Sequence, residues 1–199
     1  MDFQLTDEQK HIREEIRRFA ETEIAPDAAE RDQHEKFAAR QIKKLGELGY
    51  MGMIVDAKYG GQSADTVSYA IVVEELSRVD ASVGVAVSVN NSLVCYGLEK
   101  FGNEAQKQKY LTPLASGKAL GAYCLSEPST GSDAGAMQTV AVKKGDQYLI
   151  NGTKNFITNG LHADYLIVFA TMDRSLGTKG VAAFIVEKKY AGVSVGKKE

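Results

Sequence analysis

The spacing of apolar residues changes once along this chain, and that change constrains the fold more than any single motif. Up to Gly117 apolar side chains recur every three or four positions with charges between them, the pattern of helices that bury one stripe. From Ala119 onward they fall in short runs punctuated by Gly, Asn and Asp, the pattern of strands joined by turns. A helical half followed by a β half predicts an α+β chain of two domains, residues 1–117 and 118–199. With 199 residues, 44% of them hydrophobic, each half can bury a core.

In the first half, Thr6 and Gln9 have capping-box spacing, and Ile12, Ile16, Phe19, Ala20 and Ile24 follow on one face of a helix predicted to end near Pro26. Further helices are predicted over 36–48, stopped by Gly49, over 65–77 and over 103–114, with a loop at Tyr59-Gly60-Gly61. Residues 82–89 conflict with this scheme, because Val83, Val85, Val87 and Val89 alternate as a strand would. The second half reads as strands over 120–126, 138–143, 147–150, 165–171 and 181–187. Turns at Lys144-Gly145-Asp146 and Asn151-Gly152 make it an antiparallel, hairpin-rich domain that ends on a strand-like Gly192-Val193-Ser194-Val195 with no closing element.

Charge excludes some functions. With 24 basic and 26 acidic residues the net charge is −2, so no basic excess points to nucleic acid or an anionic membrane surface. The start, Met1-Asp2-Phe3-Gln4-Leu5-Thr6-Asp7-Glu8, is acidic and lacks the apolar core of a signal peptide. Apolar stretches are interrupted short of the roughly 20 residues of a membrane span, and a cytoplasmic location is expected. Cys95 and Cys124 stand far apart, as packed thiols of a reducing compartment. His11, His34 and His162 are scattered, and no metal is expected.

The candidate chemistry lies in two segments. Residues 123–135, YCLSEPSTGSDAG, run from a strand into a loop whose glycines allow close backbone approach and whose hydroxyls and amides can meet polar ligand atoms. Ser/Gly-rich loops after strands are also ordinary turns. Neither G-x-G-x-x-G opening a helix nor G-x-x-x-x-G-K-[ST] is present, which removes two common nucleotide-binding modes. Residues 151–160, NGTKNFITNG, follow a predicted strand.

Cys124-Leu125-Ser126-Glu127 with Gly131-Ser132-Asp133 resembles the signature of the acyl-CoA dehydrogenases, flavoproteins that desaturate acyl-CoA thioesters between the α and β carbons. The resemblance covers essentially the whole chain. It implies an all-α N-terminal domain, with a buried helix at 82–89, and an incomplete antiparallel β-barrel-like middle domain; the family's C-terminal helical bundle is absent from these residues. It implies FAD contacts from Tyr123, Cys124, Leu125, Ser126, Gly131 and Ser132, with Ser132 also beside acyl-CoA. Phe156-Ile157-Thr158 matches a short strand beside the flavin, where an aromatic covers the ring and a Thr hydroxyl reaches N5; many relatives have Trp at the Phe156 position. Thr130 stands where the family more often has a smaller residue or Asn.

Asn90-Asn91-Ser92 and the stretch after it look most like short-chain, butyryl-CoA-type members. These residues could border an acyl pocket or satisfy neighbouring backbone. By resemblance Glu127 belongs to the flavin loop, and the base that takes the α proton lies beyond residue 199, so no catalytic residue is assigned. Implied partners are acyl-CoA, preferably short-chain, an electron-transferring flavoprotein and further copies of the subunit, in a homotetramer. The alternative reading is a non-catalytic remnant or interaction module that binds flavin, acyl-CoA or full-length subunits.

Overall fold

The structure is a computed structural model that describes residues 4–196. Met1, Asp2 and Phe3 of the acidic start, and Lys197, Lys198 and Glu199, lie outside the described residues. The chain divides into two compact units with the boundary between Ala119 and Leu120.

The helical unit opens on α1 (Asp7–Phe19), with the Thr6/Gln9 capping box formed in both directions. Ile16, Ala20 and Ile24 are fully buried along one face. Pro26 does not end this helix. Ala20–Ile24 is a π turn in which the Ala25 N–H donates to Ala20 O, and α2 (Ala25–Gln33) continues with Pro26 in its first turn. The wider turn accommodates the missing proline N–H. Pro113 is passed in the same way, since α7 (Glu104–Gln106) and the π turn Lys107–Leu111 lead straight into α8 (Thr112–Ala115).

Between them, α3 (Ala39–Glu47) gives way at Leu48 to a left-handed Gly49, and α4 (Thr66–Val79) is capped by Asp65. Residues 82–88 are helical, in α5 (Ala81–Ser88), against the alternation of their valines. Tertiary packing overrides propensity: Val83 and Val87 are buried one turn apart, and a Cβ on Gly84 would lie 2.0 Å from Ser77 Oγ, so α5 presses against α4 there. Asp80 fixes the corner, accepting from Ser82 N at 2.9 Å and from Arg31 Nη2 at 2.7 Å.

The helix carries on through the π turn Val89–Cys95 into α6 (Tyr96–Phe101). Its 21 residues, Ala81–Phe101, are long and apolar enough to cross a membrane, so the expectation of short interrupted stretches fails here. Half of its most apolar 18-residue window is buried within the structure, where it serves as a core helix. Asn90 and Asn91 sit in it at 0% exposure. Asn90 Nδ2 donates to Met51 O at 2.9 Å; Asn91 donates to Tyr50 O at 2.9 Å and Val87 O at 3.0 Å and accepts from Met53 N at 2.8 Å. Both amides tie the 50–53 turn to the helix, the backbone-satisfying role.

The β unit has five described strands, β1 (Gly121–Cys124), β2 (Val140–Lys144), β3 (Gln147–Asn151), β4 (Tyr165–Thr171) and β5 (Val181–Glu187). The β2–β3 and β4–β5 hairpins are antiparallel as expected, but the sheet is mixed, because β1 and β2 both pair with β4 in parallel. β5 covers one edge of β4 along its whole length, from Tyr165 to Thr171. β1 and β2 therefore share the other edge, β1 opposite 165–168 and β2 only at Val140↔Thr171. The chain between them, 125–139, leaves the sheet and returns to the same edge.

Other turn and strand expectations are corrected. Asn151-Gly152 is no hairpin turn, since Asn151 still pairs with Val140; a Cβ on Gly152 would come 2.2 Å from Thr139 Oγ1, so close approach is what requires glycine. Residues 156–158 are not a strand: they join no ladder, and Phe156 takes φ 54°, outside the extended region. Residues 192–195 are not a strand either: Val193 N closes a turn on Tyr190 O.

Replacing Asn91 with Leu strands the Met53 N–H and two carbonyls in the core, and is expected to cost on the order of 3 kcal/mol. Denaturant unfolding followed by far-UV circular dichroism measures it, and an unchanged midpoint would show the amide to be dispensable.

Candidate functional site

Where β1 gives way to β2 along the edge of β4, backbone amides lose their ladder partners. A carboxylate takes their place: Glu127 Oε2 accepts from Gln138 N at 2.5 Å and Oε1 from Thr139 N at 3.0 Å. The Glu127 backbone pairs with Thr130 in both directions, at 2.8 and 3.1 Å, closing the near end of the loop into a tight turn. Thr130, buried beneath it, donates its hydroxyl to Ala136 O.

Lys154 joins this loop to the second segment. Its Nζ donates to Glu127 Oε1 at 2.8 Å and to Leu125 O at 2.9 Å. Both side chains are removed from water, Lys154 at 10% and Glu127 at 2% exposure. One residue on, Asn155 N–H donates to Ser126 O at 3.0 Å. The two segments singled out from the sequence are thus stitched together at neighbouring positions.

The electrostatics follow. Burial pushes the Glu127 carboxyl toward a higher pKa, but the Lys154 ammonium and the Gln138 and Thr139 amides outweigh it and hold the group down to about 2. It is ionised at any physiological pH.

Around this knot the candidate residues are disposed on different sides. Cys124 points into the core with Ala122, Ala163 and Val168, and Ile157 packs against that cluster. Burial pushes the Cys124 thiol up to about 12, leaving it a neutral packing group. Tyr123 lies on the opposite face of β1, its ring 4.9 Å from that of Phe169. Leu125 and Ser126 offer their carbonyls to the second segment, whereas Gly131 and Ser132 are exposed at the loop tip, and a Cβ on Gly131 would meet nothing within 4 Å. Phe156 is 73% exposed on a left-handed backbone. Thr158 is half-buried in the turn that follows, and Asn159 Nδ2 pins that turn to Gly121 O at 3.1 Å. Among the described residues no group of three or more His, Cys, Asp or Glu side chains could hold a metal.

Lys154 and Asn155 were not singled out by sequence reasoning. The available signal was charge: Lys154 is the one basic residue of its ten-residue run, and Glu127 lies in the partner loop.

Residues 6–118 match the family described as Acyl-CoA dehydrogenase, N-terminal domain, and residues 122–199 match Acyl-CoA dehydrogenase, middle domain. The chain is 52% identical over 199 residues, all of its own length and 52% of the relative's, to the short-chain specific acyl-CoA dehydrogenase of Clostridium acetobutylicum. Among solved structures, butyryl-CoA dehydrogenase from Megasphaera elsdenii superposes with a TM-score of 0.96 at 44% identity, covering 100% of this chain and 53% of that one. A chain from the electron transferring flavoprotein study of Acidaminococcus fermentans superposes with a TM-score of 0.97 at 48% identity, covering 100% and 52%. The chain spans about half the length of each of these proteins.

Because the folded Glu127 pKa of about 2 lies below its ordinary 4.5, its stabilisation is fully present above about 4.5 and is lost as the pH falls through about 2. Acid unfolding, followed by tyrosine near-UV circular dichroism, is expected to be steeper between those values in the wild type than in Glu127→Gln. The difference should be on the order of 2 kcal/mol. Identical acid profiles would contradict the assignment.

Proposed function

The chain belongs to the acyl-CoA dehydrogenase family, and from that premise we propose that it supplies the flavin-facing part of an FAD-dependent enzyme that desaturates an acyl-CoA thioester. The observation that carries the reading is the junction of the 125–132 loop with residues 154–158 through Lys154 and Asn155. The residues present suit a flavin. An aromatic face stands open at Phe156, hydroxyls are available at Ser126, Ser132 and Thr158, and Asn155 Oδ1 is buried without a partner beside them.

When bound, FAD supplies the acceptor for the hydride that leaves the β carbon. In this reading Phe156 would cover one face of the ring and exclude water there, and the Thr158 hydroxyl would orient the ring. Tyr123, Cys124 and Leu125 would contribute main chain, since the Cys124 side chain is core; the Leu125 carbonyl is not part of that contribution, being taken by Lys154. Ser126 would face the ring, and Gly131 and Ser132 would receive the pyrophosphate, with Ser132 also toward the acyl-CoA.

Glu127 does not remove the α proton. Both its oxygens are engaged, it is buried, and a carboxylate held down to about 2 is too weak a base. The base, and the amide that helps polarise the thioester carbonyl, come in this proposal from outside these 199 residues. The names of the relatives support a short-chain acyl-CoA and electron transfer to a flavoprotein partner. A cytoplasmic homo-oligomer without nucleic-acid or membrane partners completes the proposal.

The 199-residue chain mixed with FAD is expected to quench flavin fluorescence saturably, yet to give no dye-linked oxidation of butyryl-CoA. Absence of any flavin uptake would sink the cofactor reading. Robust turnover would place the base within this chain and overturn the role given to Glu127 and its surroundings.

A further inference from the structure

Phe156 poses a physical question. An aromatic residue in the left-handed region is strained, and with 73% of it exposed, burial gives no compensation. Something on each side must hold it. On the C-terminal side Ile157 is packed on the core and Asn159 is bonded to Gly121 O. On the N-terminal side stand Lys154 and Asn155, bonded to Leu125 O, Glu127 and Ser126 O. The loop in turn is held from the same two residues, because Leu125, Ser126 and Glu127 are their partners.

A buried ion pair is a poor choice for stability alone, since apolar residues of similar volume commonly do as well or better. It is a good choice for register. Lys154 Nζ must sit within hydrogen-bonding distance of a carbonyl and a carboxylate at once, and few arrangements of the two segments satisfy both.

We infer that Lys154 is a positioning residue for the cofactor surface: by bonding Leu125 O and Glu127 together it sets the 125–132 loop and the Phe156–Thr158 turn in a single mutual arrangement, so that neither takes its ligand-holding form without the other. The inference rests on the flavin reading for its ligand, though its geometry does not depend on it. Lys154 touches no reacting atom and acts through Phe156, Thr158 and the loop.

The test uses the whole chain, with FAD as the probe, below the melting temperature of each variant. Lys154→Met keeps most of the unbranched apolar stem and removes the charge; it is expected to weaken FAD binding at least tenfold and to change the visible circular dichroism of the flavin that still binds. Lys154→Arg, whose guanidinium can donate to both acceptors, is expected to recover most of the affinity and the wild-type spectrum. A purely structural pair would lower the melting temperature of Lys154→Met but leave affinity and spectrum of the folded fraction unchanged, and that result overturns the inference.

Should Lys154→Met fail to fold, Glu127→Gln serves in its place, with a loss of at least threefold expected and wild-type binding as the contrary result. If the wild type itself takes up no FAD, the functional reading falls, while hydrogen exchange still judges the positioning role. Lys154→Met, or Glu127→Gln where the former does not fold, is then expected to lose protection at the Thr130 and Asn155 amides together, with the β4–β5 amides unchanged. Loss at one alone, or at neither, overturns it.

Discussion

A break in a β-sheet organises the second half of this molecule. β4 is fully paired along one edge with β5, while its other edge is shared between β1 and β2 with a gap that no strand fills. Backbone amides at such a gap cannot stay unpaired inside a protein, and Glu127 resolves them by accepting hydrogen bonds from Gln138 N and Thr139 N. A buried carboxylate then requires a cation, and Lys154 supplies it from the far side of the β2–β3 hairpin. That chain of needs draws residues 125–130 and 154–158 together, the two stretches that would face a flavin. The same logic explains why the site lies off the sheet: the loop exists because two strands run parallel to one neighbour and the chain must travel between their ends.

The helical unit uses buried polar groups in a related way. Asn90 and Asn91 bond the 50–53 turn, Glu75 accepts from Arg17 and Arg78, and Arg31 joins Asp27 to Asp80. Each ties two stretches that the hydrophobic pattern alone would leave free to slide. Apolar burial decides which faces go inward; these satisfied polar groups decide the register in which they meet.

Much of this was legible in the sequence. All five described strands lie where alternation and turn residues put them, and the Thr6/Gln9 cap is local chemistry that needs no tertiary help. What failed were inferences from single residues whose meaning is non-local. Pro26 reads as a stop because the π turn that accommodates it is a property of the packed helix. Gly152 reads as a turn, yet its partner is Thr139. The valines of 82–89 read as a strand until Ser77 and the core claim their faces. Parallel pairing of β1 and β2 with β4 leaves no short-range mark, and so Lys154, whose role depends on that topology, was not picked out. Family likeness supplied the helix at 82–89 and the reading of 125–132 as a loop toward flavin; it did not supply the ion pair that holds the loop.

The most direct test is the structure of this chain with FAD bound. The account predicts the isoalloxazine in contact with both Phe156 and the 125–132 loop, and Lys154 Nζ still within hydrogen-bonding distance of Leu125 O and Glu127. A flavin bound away from those segments, or one held between them while Lys154 and Glu127 stand apart, would contradict it.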